Sequence, residues 1–556
     1  MAARVYQEEF RLNLPPLEVA GEPARSDPGY PLPTLRVAGP PQEQVFSALV
    51  LENDWLRITV LPELGGRIAS ILDRRTGVEC LPATWDLAEG GPRGVWIRGG
   101  IQWEFGEPNR RTSMAAVDAQ IVETEDGAAR INLAERIPGL DLSWHLWLEL
   151  PSDRACLSVE WRALNRRMDR DLPYRSGLLV GGAEPHPPDR GAILFRDRTS
   201  EAGFAFHFDP DEFDSWSEAD GDTRIVREFP FGALAPRQTD HAQLLLMAFP
   251  GPDFMVGAWP EAAVGFGEGE VVVLPFQDFE ARVAIQDSLG GHHEAPISAK
   301  AGEEQRFKFP EGIRAAVIGL VFADGRPTRA FPSEKWASSQ PAEATSFDGK
   351  VGPRDPRCRP AEFIRKAHQE LKADRPAEAA SHLEDALLFN GDDPLAWWLK
   401  AAAARHLEGD EETGDLPNAH FLAPMEPLLR AEAFLSQPVS PHPEPNPILN
   451  PLAENPDDLV EVGVRLLEAG LALDAARFLD EAIRLRDLPM LRYLAAANFL
   501  ARRGMEAEAA MHLAAAGKMP FGPPFPWREF EFEALRALAE RFPADLALKR
   551  YRDLEG

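Results

Sequence analysis

The hydrophobic pattern of the chain changes period once. From about Phe46 to Ser338, short runs rich in Val, Ile, Leu, Phe and Trp recur between turn signals, as in β-strands joined by tight turns. Leu56–Leu61, Ala155–Trp161, Phe254–Trp259 and Ala315–Phe322 are such runs. Asp141–Leu150 alternates apolar and polar residues, which predicts a strand with one face in a core. Glu63-Leu64-Gly65-Gly66 and Arg75-Thr76-Gly77 predict turns between strands. Roughly 290 residues of this texture predict one large antiparallel sandwich. Residues 1–45 are rich in Pro and Gly and are set apart as an extended arm.

Residues 339–358 are polar and Pro-rich and read as a linker. Beyond them the period is helical and a 34-residue repeat appears. Ala367, Ala379, Leu383 and Ala386 have offsets of 12, 4 and 3. Gly463, Ala475, Leu479 and Ala482 repeat those offsets, as do Ala497, Ala509, Leu513 and Ala516; Ala401 follows Ala367 by 34. Small residues at such points let antiparallel helices approach closely, with the Leu filling the gap. This is the tetratricopeptide pattern. It predicts helix pairs near 360–389, 457–485 and 490–516, a last helix near 527–541, and a helical domain over 359–556. The Pro-rich stretch 408–455 is expected to interrupt the stack.

Composition narrows the partners. The chain has 556 residues, 59 basic and 89 acidic, for a net charge of −30. Such a surface disfavours nucleic acid and anionic membranes. Cys80, Cys156 and Cys358 are far apart, so neither a disulfide framework nor a thiolate metal site is expected. Met1–Phe10 is charged rather than apolar, and the longest apolar runs are too short to span a bilayer. A cytoplasmic protein is the expectation. In His292-His293-Glu294 neighbours would face opposite sides of a strand, so no metal is expected. Phosphate-loop, GxSxG and HExxH motifs are lacking, and no cofactor is expected.

Several phrases, in order, resemble a known family. Leu51-Glu52-Asn53-Asp54-Trp55-Leu56-Arg57 runs into Leu61-Pro62-Glu63-Leu64-Gly65-Gly66-Arg67-Ile68. Trp96-Ile97-Arg98-Gly99-Gly100-Ile101-Gln102-Trp103-Glu104-Phe105 follows, then Trp216 with Ala219-Asp220-Gly221-Asp222. Phe525-Pro526-Trp527-Arg528, Glu531 and Glu533-Ala534-Leu535 come near the end. Together they resemble a bacterial family of unknown function in which a galactose-mutarotase-like β-supersandwich, here 46–338, precedes tetratricopeptide repeats.

The resemblance implies a sugar-facing sheet. Mutarotase-like chemistry moves one proton off the anomeric hydroxyl and another onto the ring oxygen. Trp96, Arg98, Gln102, Trp103 and Glu104 fit a sugar-binding role, and Trp216 and Gln286 join them from the other phrases. Trp103 is equally a core residue, and Arg98 is equally an ion-pair partner for Glu104. The acid–base candidates are Glu104 and His186, with Glu280 in reserve. The chain also departs from the family. Ala284 stands where a carboxylate would act in Val283-Ala284-Ile285-Gln286, and the stretch before His186 lacks its aromatics and Asn. Val273-Leu274-Pro275-Phe276-Gln277 lacks the expected Trp.

Three functions follow. The first is carbohydrate binding with altered catalytic residues, the repeats serving a protein or peptide partner. The second is an active carbohydrate enzyme, an epimerase or a glycoside-cleaving one, using Glu104 and His186. The third is a non-catalytic scaffold whose repeats hold protein partners.

Overall fold

A computed structural model describes residues 2–331 and 359–555 apart from short stretches. The longer of these are 107–114, 197–201, 210–214, 252–256, 309–314, 409–414 and 439–445. The linker 339–358, with Cys358, lies outside the described residues.

The first half is an antiparallel β-sandwich. One sheet runs Arg4–Leu14, Gln42–Glu52, Leu56–Leu61, Arg67–Asp73, Ile101–Phe105, Leu172–Gly181, Asp222–Leu234, Ser215–Ala219. The other runs Asp118–Glu123, Ala129–Ile137, Leu142–Leu150, Cys156–Asn165, Thr239–Phe249, Gly203–Phe208, Ala192–Arg196, Glu184–Asp189. Side chains alternate across each strand, so every second residue of both sheets enters the shared core. Leu51, Ile58, Ile71, Trp103 and Phe105 meet Leu133, Leu146, Val159 and Phe204 there. Phe105 joins the layers, its ring 4.9 Å from that of Trp144 and 6.0 Å from that of Trp161. Two four-stranded sheets follow, built from strands between Gly257 and Phe331. Arg4–Leu14, within the segment set apart as an arm, pairs along its whole length with Gln42–Glu52. Its alternating side chains and unbroken ladder make it a sheet strand.

The second half contains twelve α-helices among the described residues: α1 (Arg359–Lys372), α2 (Pro376–Phe389), α3 (Pro394–Glu408), α4 (Asp415–Leu422), α5 (Pro427–Leu435), α6 (Asn450–Glu454), α7 (Pro456–Glu468), α8 (Ala472–Leu485), α9 (Pro489–Ala501), α10 (Glu506–Ala516), α11 (Glu529–Arg541) and α12 (Leu546–Arg552). The pairs α1/α2, α7/α8 and α9/α10 lie where the repeat puts them. Ala367, Ala379, Leu383, Ala475, Leu479, Ala482 and Ala509 are buried. A Cβ on Gly463 would come within 2.8 Å of Leu479 Cδ2, so the smallest residue stands where α7 meets α8. The stretch 408–455 is more regular than its prolines suggest, since α4, α5 and α6 lie in it. Pro427 opens α5 at its first turn, where a proline has no intrahelical donor to lose.

The two halves are joined by buried charge. Glu461 on α7 is fully buried among four guanidinium groups: Arg136 and Arg166 of the sandwich, Arg465 of α7, and Arg528 just before α11. Arg166 also pairs with Glu426 at 3.1 Å, Arg465 with Asp141 at 2.5 Å, and Arg237 with Asp393 at 2.5 Å. The surrounding arginines hold the Glu461 carboxyl well below its usual range despite burial. Tyr30 and Leu164 enter the core of the helical half. The polar face of Leu142–Leu150 is therefore roofed rather than solvated, with Ser143 and His145 buried.

Candidate functional site

Strand parity sorts the candidates on Ile101–Phe105. Trp103 shares its face with Ile101 and Phe105, points into the core, and donates its indole N–H to Gly66 O at 2.9 Å. Gln102 and Glu104 occupy the opposite face. The register carries both rows across the sheet. Trp103 stands beside Leu178, Ile225 and Trp216 on the core side. Gln102 stands beside Leu179, Arg224 and Ser217 on the outer side. Trp216 is half-buried against the core edge, so neither it nor Trp103 lies on the outer face with Glu104.

That outer face is built from paired charges. Glu104 accepts from Arg224 Nε at 2.6 Å and Nη2 at 3.1 Å, so both its oxygens are held. Arg98 lies not with Glu104 but with Asp222, its Nε 3.3 Å from Oδ2. Its guanidinium carbon is 6.0 Å from the centre of the Trp96 ring, which is itself buried. Arg67 is fully buried and donates to the carbonyls of Leu64, Ile97 and Gly99, and to Gln102 Oε1 at 3.3 Å. Gln102 Nε2 is buried without a hydrogen-bond partner among the described residues. Gly99 and Gly100 turn the Trp96 strand back over this face with φ of 106° and 70°. A Cβ on them would lie 2.3 Å from Thr84 O and 2.5 Å from Ile68 O, so side chains are excluded at the bend.

The remaining candidates are elsewhere. His186 lies on Glu184–Asp189, at the edge of the other sheet, opposite Leu194; its side chain lies outside the described residues. Gln286 is exposed on Phe279–Asp287, opposite His292 in a separate four-stranded sheet. Glu280 is exposed on that strand and accepts from the Ser298 hydroxyl at 2.5 Å. Glu104 and Gln286 thus stand on different sheets. Among the described residues no histidine is hydrogen-bonded to Glu104. His145 is held far down, to about 3, by burial and then by Arg166, Arg162 and Arg136, so its ring is uncharged at neutral pH. His292 to Glu294 alternate in exposure along a strand. Among the described residues no group of three or more His, Cys, Asp or Glu could hold a metal ion. No helix among them is long and apolar enough to cross a membrane.

Arg67, Asp222 and Arg224 complete the face and were not singled out from the sequence. Arg67 and Asp222 stand within the family-like phrases. Arg224 lies 120 residues from Glu104, and only the sheet brings the two together.

Comparison with known proteins gives one family match and several distant structural likenesses. Residues 28–175 match the model of a family described as a domain of unknown function, DUF5107, and that segment contains the Leu51–Ile68 and Trp96–Phe105 phrases. The chain is similar to a solved TPR-domain containing protein from Parabacteroides distasonis, with 14% identity, 98% of this chain and 96% of that one covered, and a TM-score of 0.34. It is also similar to a putative aldose 1-epimerase from Klebsiella pneumoniae, with 11% identity, 44% and 92% covered, and a TM-score of 0.27. A galactose mutarotase-like protein from Lactobacillus casei matches at 10% identity, 36% and 100% covered, and a TM-score of 0.26.

Proposed function

We propose that the protein binds carbohydrate on the Gln102–Glu104 face without turning it over, and that its helical half holds a protein partner. The observation that carries this reading is the fixing of Glu104 by Arg224 through both carboxylate oxygens. A general base must be able to turn a lone pair toward the proton it removes, and the clasp points both Glu104 oxygens at Arg224. Glu104 instead acts as an anchor that orients Arg224. Arg98 and Arg224 are each about one-quarter exposed, and a guanidinium offers several N–H donors in a plane. Such donors suit sugar hydroxyls. The helices stack into an array of the kind that presents extended binding surfaces, and the net charge of −30 favours basic partner segments.

Calorimetry of the full chain with galactose, glucose and mannose at millimolar concentration tests the sugar half. Saturable heat that Arg98→Ala abolishes is expected, and the absence of any heat sinks it. Polarimetry of freshly dissolved α-galactose should show ring-opening no faster than in buffer. A protein-dependent acceleration lost in Glu104→Gln would overturn the non-catalytic reading. Partners captured by the full chain at low salt should elute as salt rises; salt-insensitive capture would remove the electrostatic argument.

A further inference from the structure

The other large sheet carries a second polar cleft, on the opposite side of the sandwich from Gln102 and Glu104. It lies between the outer faces of the strands Asp118–Glu123 through Cys156–Asn165 and the C-terminal end of α4, and encloses about 350 Å³. That volume is within the range of small-molecule sites. We propose that this cleft binds an uncharged pyranose ring.

The register builds the floor. Asn132, Trp147 and Glu160 form one cross-strand row, and Arg130, Glu149 and Ser158 the next. Phe421 of α4 forms the roof and is 72% exposed on its helix. The Arg162 guanidinium bridges floor and roof, 5.4 Å from the centre of the Trp147 ring and 5.5 Å from that of Phe421.

The charges of the cleft are already matched. Arg130 Nε donates to Glu149 at 2.7 Å, and Arg162 lies 3.1 Å from Glu160, which His241 and Gln243 also contact. An ionic ligand would have to displace one of these pairs. What remains unmatched is two single hydrogen-bonding atoms rather than a net charge. Asn132 lines the cleft, is 5% exposed, and its Oδ1 has no hydrogen-bond partner among the described residues; nor has Arg162 Nε. One is an acceptor and the other a donor, and a buried group left without a partner is unfavourable. A sugar hydroxyl both donates and accepts, so a polyhydroxylated ring can satisfy the two together. The C–H face of the same ring suits the aromatic surface of Trp147 and Phe421. A wholly apolar ligand would leave both polar atoms unmatched.

This inference concerns other residues than the sugar reading above, and the test separates them. The full chain is titrated by calorimetry with methyl α-glucoside, methyl α-galactoside and methyl α-mannoside. Glucuronate and glucosamine serve as charged controls. The expected result is a binding event for at least one neutral glycoside that Phe421→Ala weakens by roughly tenfold or more, as loss of an aromatic anchor does. Trp147→Ala should weaken it at least as much. Phe421→Ala alters an exposed side chain, so its melting temperature should stay at the wild-type value and the loss is then local. Arg98→Ala should leave this event intact. Absence of binding by any neutral glycoside, binding unaffected by Phe421→Ala, or preference for a charged control would each overturn the proposal. A single event lost in Phe421→Ala and untouched by Arg98→Ala would uphold this cleft while removing the Gln102–Glu104 site.

Discussion

The two outer faces of the sandwich use the same vocabulary, carboxylates clasped by arginines, in opposite surroundings. On the Gln102–Glu104 side, Arg98 and Arg224 remain about one-quarter exposed while their acids are buried. On the other side the helical half closes over much of the sheet, and Arg166 and Glu461 are each 1% exposed at the side chain. Water can reach the guanidinium if a pair on the first face is broken. Under the helices it cannot, so a broken pair leaves a bare charge. The first arrangement is suited to exchanging partners with a ligand, the second to holding two structures together.

The largest effect that tests this contrast is expected at Glu461. Glu461→Ala would strand several arginines and should lower unfolding free energy by about 3–5 kcal/mol, read by urea denaturation at pH 7. Loss of less than about 1 kcal/mol, the range of exposed pairs, would erase the distinction between the faces. The effect has a pH signature. The folded carboxyl lies below its unfolded value of about 4.3, so its stabilisation is full above that pH and is lost as pH falls through the folded value. The gap between wild type and Glu461→Ala should therefore narrow in acid.

Glu104→Gln should be milder, about 1–2 kcal/mol, because Arg224 can turn to water after losing a charged hydrogen-bond partner. The same denaturation series measures it, and a loss matching Glu461→Ala would show that both faces are structural.

The last effect, confined to alkaline pH, is expected at Glu135, between the faces. Its carboxyl is raised to about 8 by burial, and it accepts a hydrogen bond from Trp144 Nε1 at 3.0 Å. The unfolded chain loses this proton first, so stability from this group falls as pH rises from about 4.3 toward 8. Glu135→Gln keeps an acceptor for Trp144 and should be more stable than wild type at pH 8 but not at pH 4. Equal melting temperatures at both values would remove the argument.

Which face a residue occupies was partly legible in the sequence. Gln102 and Trp103 are adjacent, so a period of two forbids both from facing one ligand, and of the two roles open to Trp103 the core is the one it takes. The alternation of Asp141–Leu150 marked a strand correctly, yet polar positions identify only the face away from the sandwich core. They do not say whether water or a second domain covers it, and here His145 lies under the helices. The repeat was the clearest signal, because small residues 34 apart constrain helix contact directly. The Arg224 partner of Glu104 was illegible, since two crossings of the sheet separate them. Prolines misled over 408–455 because proline stops a helix from within but starts one at its first turn.

The cluster around Glu461 also bears on how the molecule could be cut. The join between the halves is made by side chains as well as by the connecting peptide, so covalent continuity is not what keeps them in register. Two separately encoded polypeptides, 1–338 and 359–556, should find each other when produced together and travel as one species through a sizing column. The gene could then be split for reporter fusions without dismantling the protein.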